Sequence, residues 1–253
     1  MVIHATAMTE TSPKAALDRI AAALVHVRET AKGGTIVTPV LFPSGAHVSV
    51  RVVLESDHCL ITDDGAAFAE ADMMGAVDIF KRAGRTVAEE AGIRFNSYEI
   101  FEAHASLETA PGIVAIIADA ARRTIQITAE RLAKRLYDET RVDVVDRLID
   151  AFGPHSVRRD AAISGASTHD WSVDAFIDIG PGAAVEVISP APVSVSSSYM
   201  KLDDIRRLEN APRTVGALTS RRAFKADQLL ILGRTAKLIE ARSPMDELRR
   251  LVA

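Results

Sequence analysis

Apolar residues recur along the chain at helical spacing in some stretches and at every second position in others, and these changes of period predict most of its elements. Pro13 behind Ser12 or Thr11 marks a helix start, and helical spacing over residues 15–31 ends at Gly33-Gly34. The period then becomes two. Val48, Val50 and Val52 alternate with His47, Ser49 and Arg51, so residues 35–42 and 47–55 read as two strands around the Pro43-Ser44-Gly45 turn. A third strand, 59–62, runs into Asp63-Asp64-Gly65 and a helix over 66–74. A helix over 76–91, a strand over 93–103 and a long helix from Thr109-Ala110-Pro111 to residue 136 complete this part.

A separate amphipathic helix is expected over 137–152, with Val142, Val145, Leu148 and Ile149 on one side and Gly153-Pro154 as its stop. Beyond it come strands over 156–164, 171–179 and 183–189, a helix over 199–209, strands over 214–219 and 228–232, and a terminal helix from Pro244. The change of pattern predicts an α+β protein of two domains. Residues 1–136 form an α/β domain with a small antiparallel sheet, and residues 137–253 form a second α/β domain. Helix, three strands, helix, strand resembles the core order of the restriction-endonuclease-like fold, with the 137–152 helix as its first element.

Composition narrows the function classes. With 253 residues, 48% of them hydrophobic, the chain can bury a core without staples. Cys59 is its single cysteine, so no disulfide forms within the chain, and nothing in the sequence resembles a zinc-ligand set, which suits a reducing cytoplasm. The N-terminal residues lack a charged start followed by an apolar run, and the longest apolar stretch, 112–121, is too short to span a bilayer, so a cytoplasmic protein is expected. No G-x-x-x-x-G-K-[ST] occurs, which excludes a P-loop nucleotide hydrolase. The net charge of −4 is unevenly spread: residues 154–253 hold 14 Lys and Arg against 12 Asp and Glu, whereas the preceding residues hold 16 against 22. Arg206, Arg207, Arg213, Arg221, Arg222 and Lys225 make up much of the basic share, either as a surface for a phosphate-bearing partner or as a solvated face.

The chemistry-bearing residues concentrate in the same half. Strand alternation puts Val173, Ala175 and Ile177 on one side and Asp174, Phe176 and Asp178 on the other. Glu186 follows on the next strand, across Gly180-Pro181-Gly182, so Asp174 and Glu186 can converge as ligands of one Mg²⁺, the arrangement of a metal-dependent nuclease. The lysine expected two residues after the glutamate is replaced by Ile188, and Lys201 on the following helix is the candidate substitute. With Ser198 as cap, Lys201 falls in the first helical turn, where the dipole disfavours a cation. Asp203 and Asp204 can pair with Arg206 and Arg207 at helical spacing. His169 beside Trp171 reads as packing, and Cys59 as a buried strand residue. Asp63-Asp64-Gly65 fits either a helix cap or a cation site, and the cap is favoured because no further ligand accompanies the pair.

Val37-Thr38-Pro39, Phe42-Pro43-Ser44-Gly45, Ile61-Thr62-Asp63-Asp64-Gly65 and Glu70-Ala71-Asp72-Met73-Met74-Gly75 resemble a bacterial and phage domain-of-unknown-function family with an L-[ST]-D-x-G motif. The resemblance continues through Ile163-Ser164-Gly165-Ala166-Ser167 and Trp171-Ser172-Val173-Asp174-Ala175. It implies a prophage or mobile-element setting and carries no residue role. The expected function is a phage- or mobile-element-associated binding protein on a nuclease-like scaffold, acting in defence or counter-defence on nucleic acid or a host protein. The alternative is a Mg²⁺-dependent nuclease with Asp174, Glu186 and Lys201 as its catalytic residues.

Overall fold

A computed structural model describes residues 12–252. Residues 1–11, on which the targeting reading and the Thr11 alternative rest, lie outside the described part. The chain divides into two compact units, residues 1–133 and 134–253. Among the described residues it forms seven α-helices and two sheets, an α+β protein. No helix there is long and apolar enough to cross a membrane.

In the first unit, helix α1 (Pro13–Ala23) is capped by Ser12, whose hydroxyl accepts the Ala15 N–H at 3.3 Å. The helix ends before residue 31. Residues expected to continue it form strand β1 (His26–Thr30), antiparallel to β2 (Gly33–Leu41). Gly33 and Gly34 therefore serve pairing rather than helix termination: a Cβ would lie 2.1 Å from the Val52 carbonyl at Gly33 and 2.7 Å from the Arg28 carbonyl at Gly34. Strands β3 (His47–Leu54), β4 (His58–Thr62), β5 (Arg94–Phe95) and β6 (Phe101–Ser106) complete an antiparallel sheet ordered β1-β2-β3-β4-β6-β5. The single strand expected over 93–103 is broken because Asn96 folds a turn, its Oδ1 accepting the N–H groups of Tyr98 and Ile100 at 2.9 and 3.2 Å. Helices α2 (Ala66–Met73) and α3 (Val77–Ala91) cover the core of Val48, Val50, Cys59, Ile61, Phe80 and Phe101.

The two helices expected over 110–136 and 137–152 are one, α4 (Ala110–Phe152). No Gly or Pro interrupts residues 113–152, and the ion pairs Lys134–Asp138 and Arg135–Glu139, each 2.9 Å and one turn apart, lie at the expected junction. Ile117, Ala121 and Ile125 belong to the core of the first unit, while Val144, Val145 and Leu148 belong to that of the second.

The second unit continues with β7 (Val157–Ser164), β8 (Asp170–Ile177), β9 (Ala183–Ile188), α5 (Pro192–Arg206), β10 (Arg213–Leu218), α6 (Ala226–Leu232), β11 (Lys237–Glu240) and α7 (Met245–Arg249). Its sheet order is β11-β10-β9-β8-β7; β7, β8 and β9 form an antiparallel meander, whereas β9, β10 and β11 run parallel. Parallel neighbours need crossovers, which α5 and α6 supply. The strand expected over 228–232 is therefore the helix α6, and β11 is the strand that its crossover delivers. A five-residue apolar run fits either period, and packing decides: Leu232 is buried with Leu202 of α5. Helix α5 begins at Pro192 rather than near residue 199, so Ser198 lies buried within it and Lys201 sits well past its first turn. The dipole argument at Lys201 thus lapses.

Ala183, Val185 and Val187 pack with the α4 residues, and Ala184 and Ile188 pack towards α5. Val173 does not share the face of Ala175 and Ile177. It packs with Ile205 and Trp171, while the other two join the α4-side core. Asp160, with φ 47°, drops out of the β7–β8 ladder between Arg159↔Ala175 and Ala161↔Val173, and the pleat changes phase opposite Asp174.

Candidate functional site

The β8–β9 ladder ends at Ala175↔Val185, and side chains take over where the strands part. Asp174 Oδ2 accepts the Val187 N–H at 2.7 Å, and the Tyr137 hydroxyl donates to the Val187 carbonyl at 3.0 Å. A buried backbone pair is thereby satisfied without a neighbouring strand. Burial, reinforced by the Asp174 and Glu186 charges, pushes the Tyr137 hydroxyl well above its ordinary range, so it remains a donor at neutral pH.

Each carboxylate has a cation from a different helix. Arg141, one turn along α4 from Tyr137, bonds Asp174 through Nε and Asp160 through Nη2. The Asp174 hydrogen bond, more than the surrounding charges, raises the guanidinium further above its usual value. Lys201 Nζ donates to Glu186 Oε1 at 2.6 Å and to the Ser172 carbonyl at 2.5 Å. The Asp174 and Glu186 side chains are only 9% and 8% exposed, so these charges are held in a poorly solvated place. Glu186 Oε2 is buried with no hydrogen-bond partner. Burial, then the Asp174 charge, push the Glu186 carboxyl up to about 7, against the opposing pull of Lys201.

The structure thus brings together Asp174, Glu186 and Lys201, which are separated in sequence, and adds Arg141 and Tyr137. These two carried a faint sequence signal. Residues 137, 141, 144 and 148 share one helical stripe, and polar members of a stripe otherwise apolar are candidates for an inward-facing polar site.

The basic residues do not form one surface. Arg206 and Arg207 lie at the C-terminal end of α5, where both pair with Asp203 and Arg206 also bonds the Arg234 carbonyl. Arg213 opens β10, with its guanidinium on the Leu251 carbonyl at 3.3 Å. Arg221, Arg222 and Lys225 follow the C-terminal end of β10, beside the end of β9 that carries Glu186; Thr219 N–H bonds the Ile188 carbonyl, and Gln228 bonds the Pro190 carbonyl.

The remaining sequence candidates have structural partners. His169 packs edge-on against Trp171, ring centroids 4.3 Å apart. Trp171 Nε1 and the Ser167 hydroxyl both donate to Asp204 Oδ2 at 2.7 Å, which holds that carboxyl below its usual range and pins the β7–β8 turn to α5. Gly165 is required there, since a Cβ would fall 1.9 Å from Asp204 Oδ2. In the first unit Asp63 caps α2, with Oδ2 on the Ala67 N–H and Oδ1 on the Phe101 N–H, while exposed Asp64 pairs with Arg51 at 3.2 Å. Comparison with protein-family models, with curated proteins and with solved structures finds no match to this chain.

Proposed function

We propose that residues 134–253 form a restriction-endonuclease-like domain that hydrolyses nucleic-acid phosphodiesters with a divalent cation, Mg²⁺ or Mn²⁺, held by Asp174 and Glu186. The observation that carries this reading is the unpartnered buried oxygen of Glu186, beside Lys201 and Asp174, where two strands part. The element order supports the fold identity: the end of α4, the antiparallel meander β7-β8-β9, then α5 and the parallel strand β10. Two carboxylates are the hard oxygen donors that Mg²⁺ takes alongside water and substrate phosphate. When bound, the cation supplies Lewis-acid polarisation of the phosphate and a water of lowered pKa.

The chain's own residues do the rest. Lys201, fixed by Ser172 and Glu186, sets an ammonium where the lysine replaced by Ile188 would have acted, and stabilises charge developing on phosphate. Arg141 keeps Asp160 as a partner when Asp174 turns to another cation, so its release strands no guanidinium. Tyr137 holds the open edge of β9 and, through it, the position of Asp174. Arg221, Arg222 and Lys225 are the residues assigned to the substrate backbone at this end of the sheet. Cation binding requires ionised Glu186 and strengthens as pH rises through about 7.

A second reading rests on the Arg141–Asp174 pair. Both carboxylates already have cations within the protein, which suits a cytoplasmic binding protein of a phage or mobile element that uses the same scaffold without catalysis. The deciding experiment titrates Mg²⁺ and Mn²⁺ into wild type, Asp174→Asn and Glu186→Gln, then incubates each with labelled single- and double-stranded DNA and RNA. Metal binding and cleavage by wild type, both lost in the variants, are expected. Absence of cleavage with every substrate in Mn²⁺, or cleavage unchanged in both variants, replaces the nuclease with the second reading.

A further inference from the structure

The first unit carries a different cluster of ligand side chains, remote in chemistry from the paired carboxylates. His58 on β4 and His104 on β6 occupy one face of the sheet, because the register sets Leu60 opposite His104 and His58 opposite Ser106. The two imidazoles are diagonal neighbours, ring centroids 5.7 Å apart and tilted by 53°. Glu55 joins them from the β3–β4 turn, where its N–H bonds the His58 carbonyl at 2.8 Å and its Oε2 lies 2.5 Å from His58 Nε2. One ligand atom each from Glu55, His58 and His104 lies within 4.8 Å of the others.

We propose that Glu55, His58 and His104 bind a first-row transition-metal ion of the Zn²⁺ class. Two imidazoles and one carboxylate are a borderline donor set, suited to Zn²⁺, Ni²⁺ or Cu²⁺ and poorly suited to Mg²⁺. Two further observations point the same way. Asp57 Oδ1 lies 2.8 Å from His58 Nδ1, the carboxylate–histidine arrangement that supports metal ligands, while Glu55 Oε2 pairs with His58 Nε2 at 2.5 Å, where a metal ion would take the place of the proton the two share. Among the described residues the His104 ring makes no hydrogen bond or ion pair and touches the His58 ring, so its nitrogens are open to ligate. The three side chains are wholly or partly exposed, which leaves an open entry path and a fourth position for water or a partner's side chain. Occupied, the site would clip the β3–β4 turn to β6, two segments otherwise joined through β4.

The test uses the tag-free full chain carrying Asp174→Asn and Glu186→Gln, so that failure of the nuclease reading leaves this one intact. Zn²⁺ and Mg²⁺ are titrated in competition with a chromophoric chelator, with and without His58→Asn, His104→Asn or Asp57→Asn. One Zn²⁺ per chain is expected, with no competition from millimolar Mg²⁺. Affinity should fall about 100-fold or more without either histidine and about 10-fold without Asp57. Circular dichroism confirms that the exposed His104→Asn variant is folded. No saturable binding of Zn²⁺, or binding undiminished by His58→Asn and His104→Asn, overturns the proposal.

Discussion

Asp63, just past β4, and Glu186, within β9, are buried carboxylates, one in each unit, and they are used in opposite ways. Asp63 has both oxygens on backbone N–H groups, from Ala67 of α2 and Phe101 of β6. Glu186 has Oε1 on Lys201 and Oε2 buried without a hydrogen-bond partner, the Asp174 backbone N–H adding the smallest pull on its carboxyl. Burial raises both carboxyls, Asp63 to about 6 and Glu186 to about 7. The first is a joint between elements, complete in itself. The second is an incomplete set of contacts, and the proposed metal site rests on it. A perturbed carboxyl alone therefore does not mark a site; unused coordination does.

Asp63→Ala is the largest expected perturbation. It strands two buried N–H groups, for a loss of about 3–5 kcal/mol confined to the first unit, measured by hydrogen exchange across residues 12–133. A loss under about 1 kcal/mol would show that water can replace the cap. Lys201→Met comes next, since it leaves Glu186 buried without its cation. It should cost about 1–2 kcal/mol at pH 8, a loss limited because Glu186 can take up a proton there, and far less at pH 5.5, where Glu186 is already protonated, as followed by thermal unfolding. Equal losses at both pH values would contradict the pairing as drawn.

Glu186→Gln is expected to be mild for stability and severe for function. The sign follows from the raised carboxyl: its stabilising proton is fully held in the folded state below pH 4.5 and is lost as pH rises through about 7. Wild-type stability should accordingly fall between pH 5 and pH 8, by about 2 kcal/mol from this group, and Asp63 adds a decline in the same direction near pH 6. Glu186→Gln should flatten the part of that slope nearest pH 7 while removing metal binding. The smallest effect belongs to Arg51→Ala, which breaks the exposed pair with Asp64 and should change stability by less than about 0.5 kcal/mol. A larger loss, or a new cation site at Asp63-Asp64, would erase the contrast between the two carboxylates.

The alternation of Val48, Val50 and Val52 located β3, and comparable patterns located β7 through β10 within a few residues. Glycine, proline and short apolar runs misled where their use was not local. Gly33-Gly34 resembled a helix stop but serves close strand pairing, and residues 228–232 suited a strand but pack as a helix on α5. The strand residues Asp174 and Glu186 and the lysine after them were legible as candidates. That the guanidinium of Arg141 would seat on Asp174, 33 positions later, was not.

Sequence by itself determined the α+β class, the order of strands and helices through most of the second unit, and the residue types available for chemistry, because backbone propensity and burial period act over a few residues. Tertiary structure alone decided that β8 and β9 part beyond Ala175↔Val185, that Tyr137 and Asp174 fill the gap, and that one oxygen of Glu186 is left over. It also separated Arg206 and Arg207 from Arg221, Arg222 and Lys225 by the length of α5. Partnership between charged groups depends on which surfaces the folded sheet and its helices bring within a few ångströms and remove from water, and no local period along the chain encodes that.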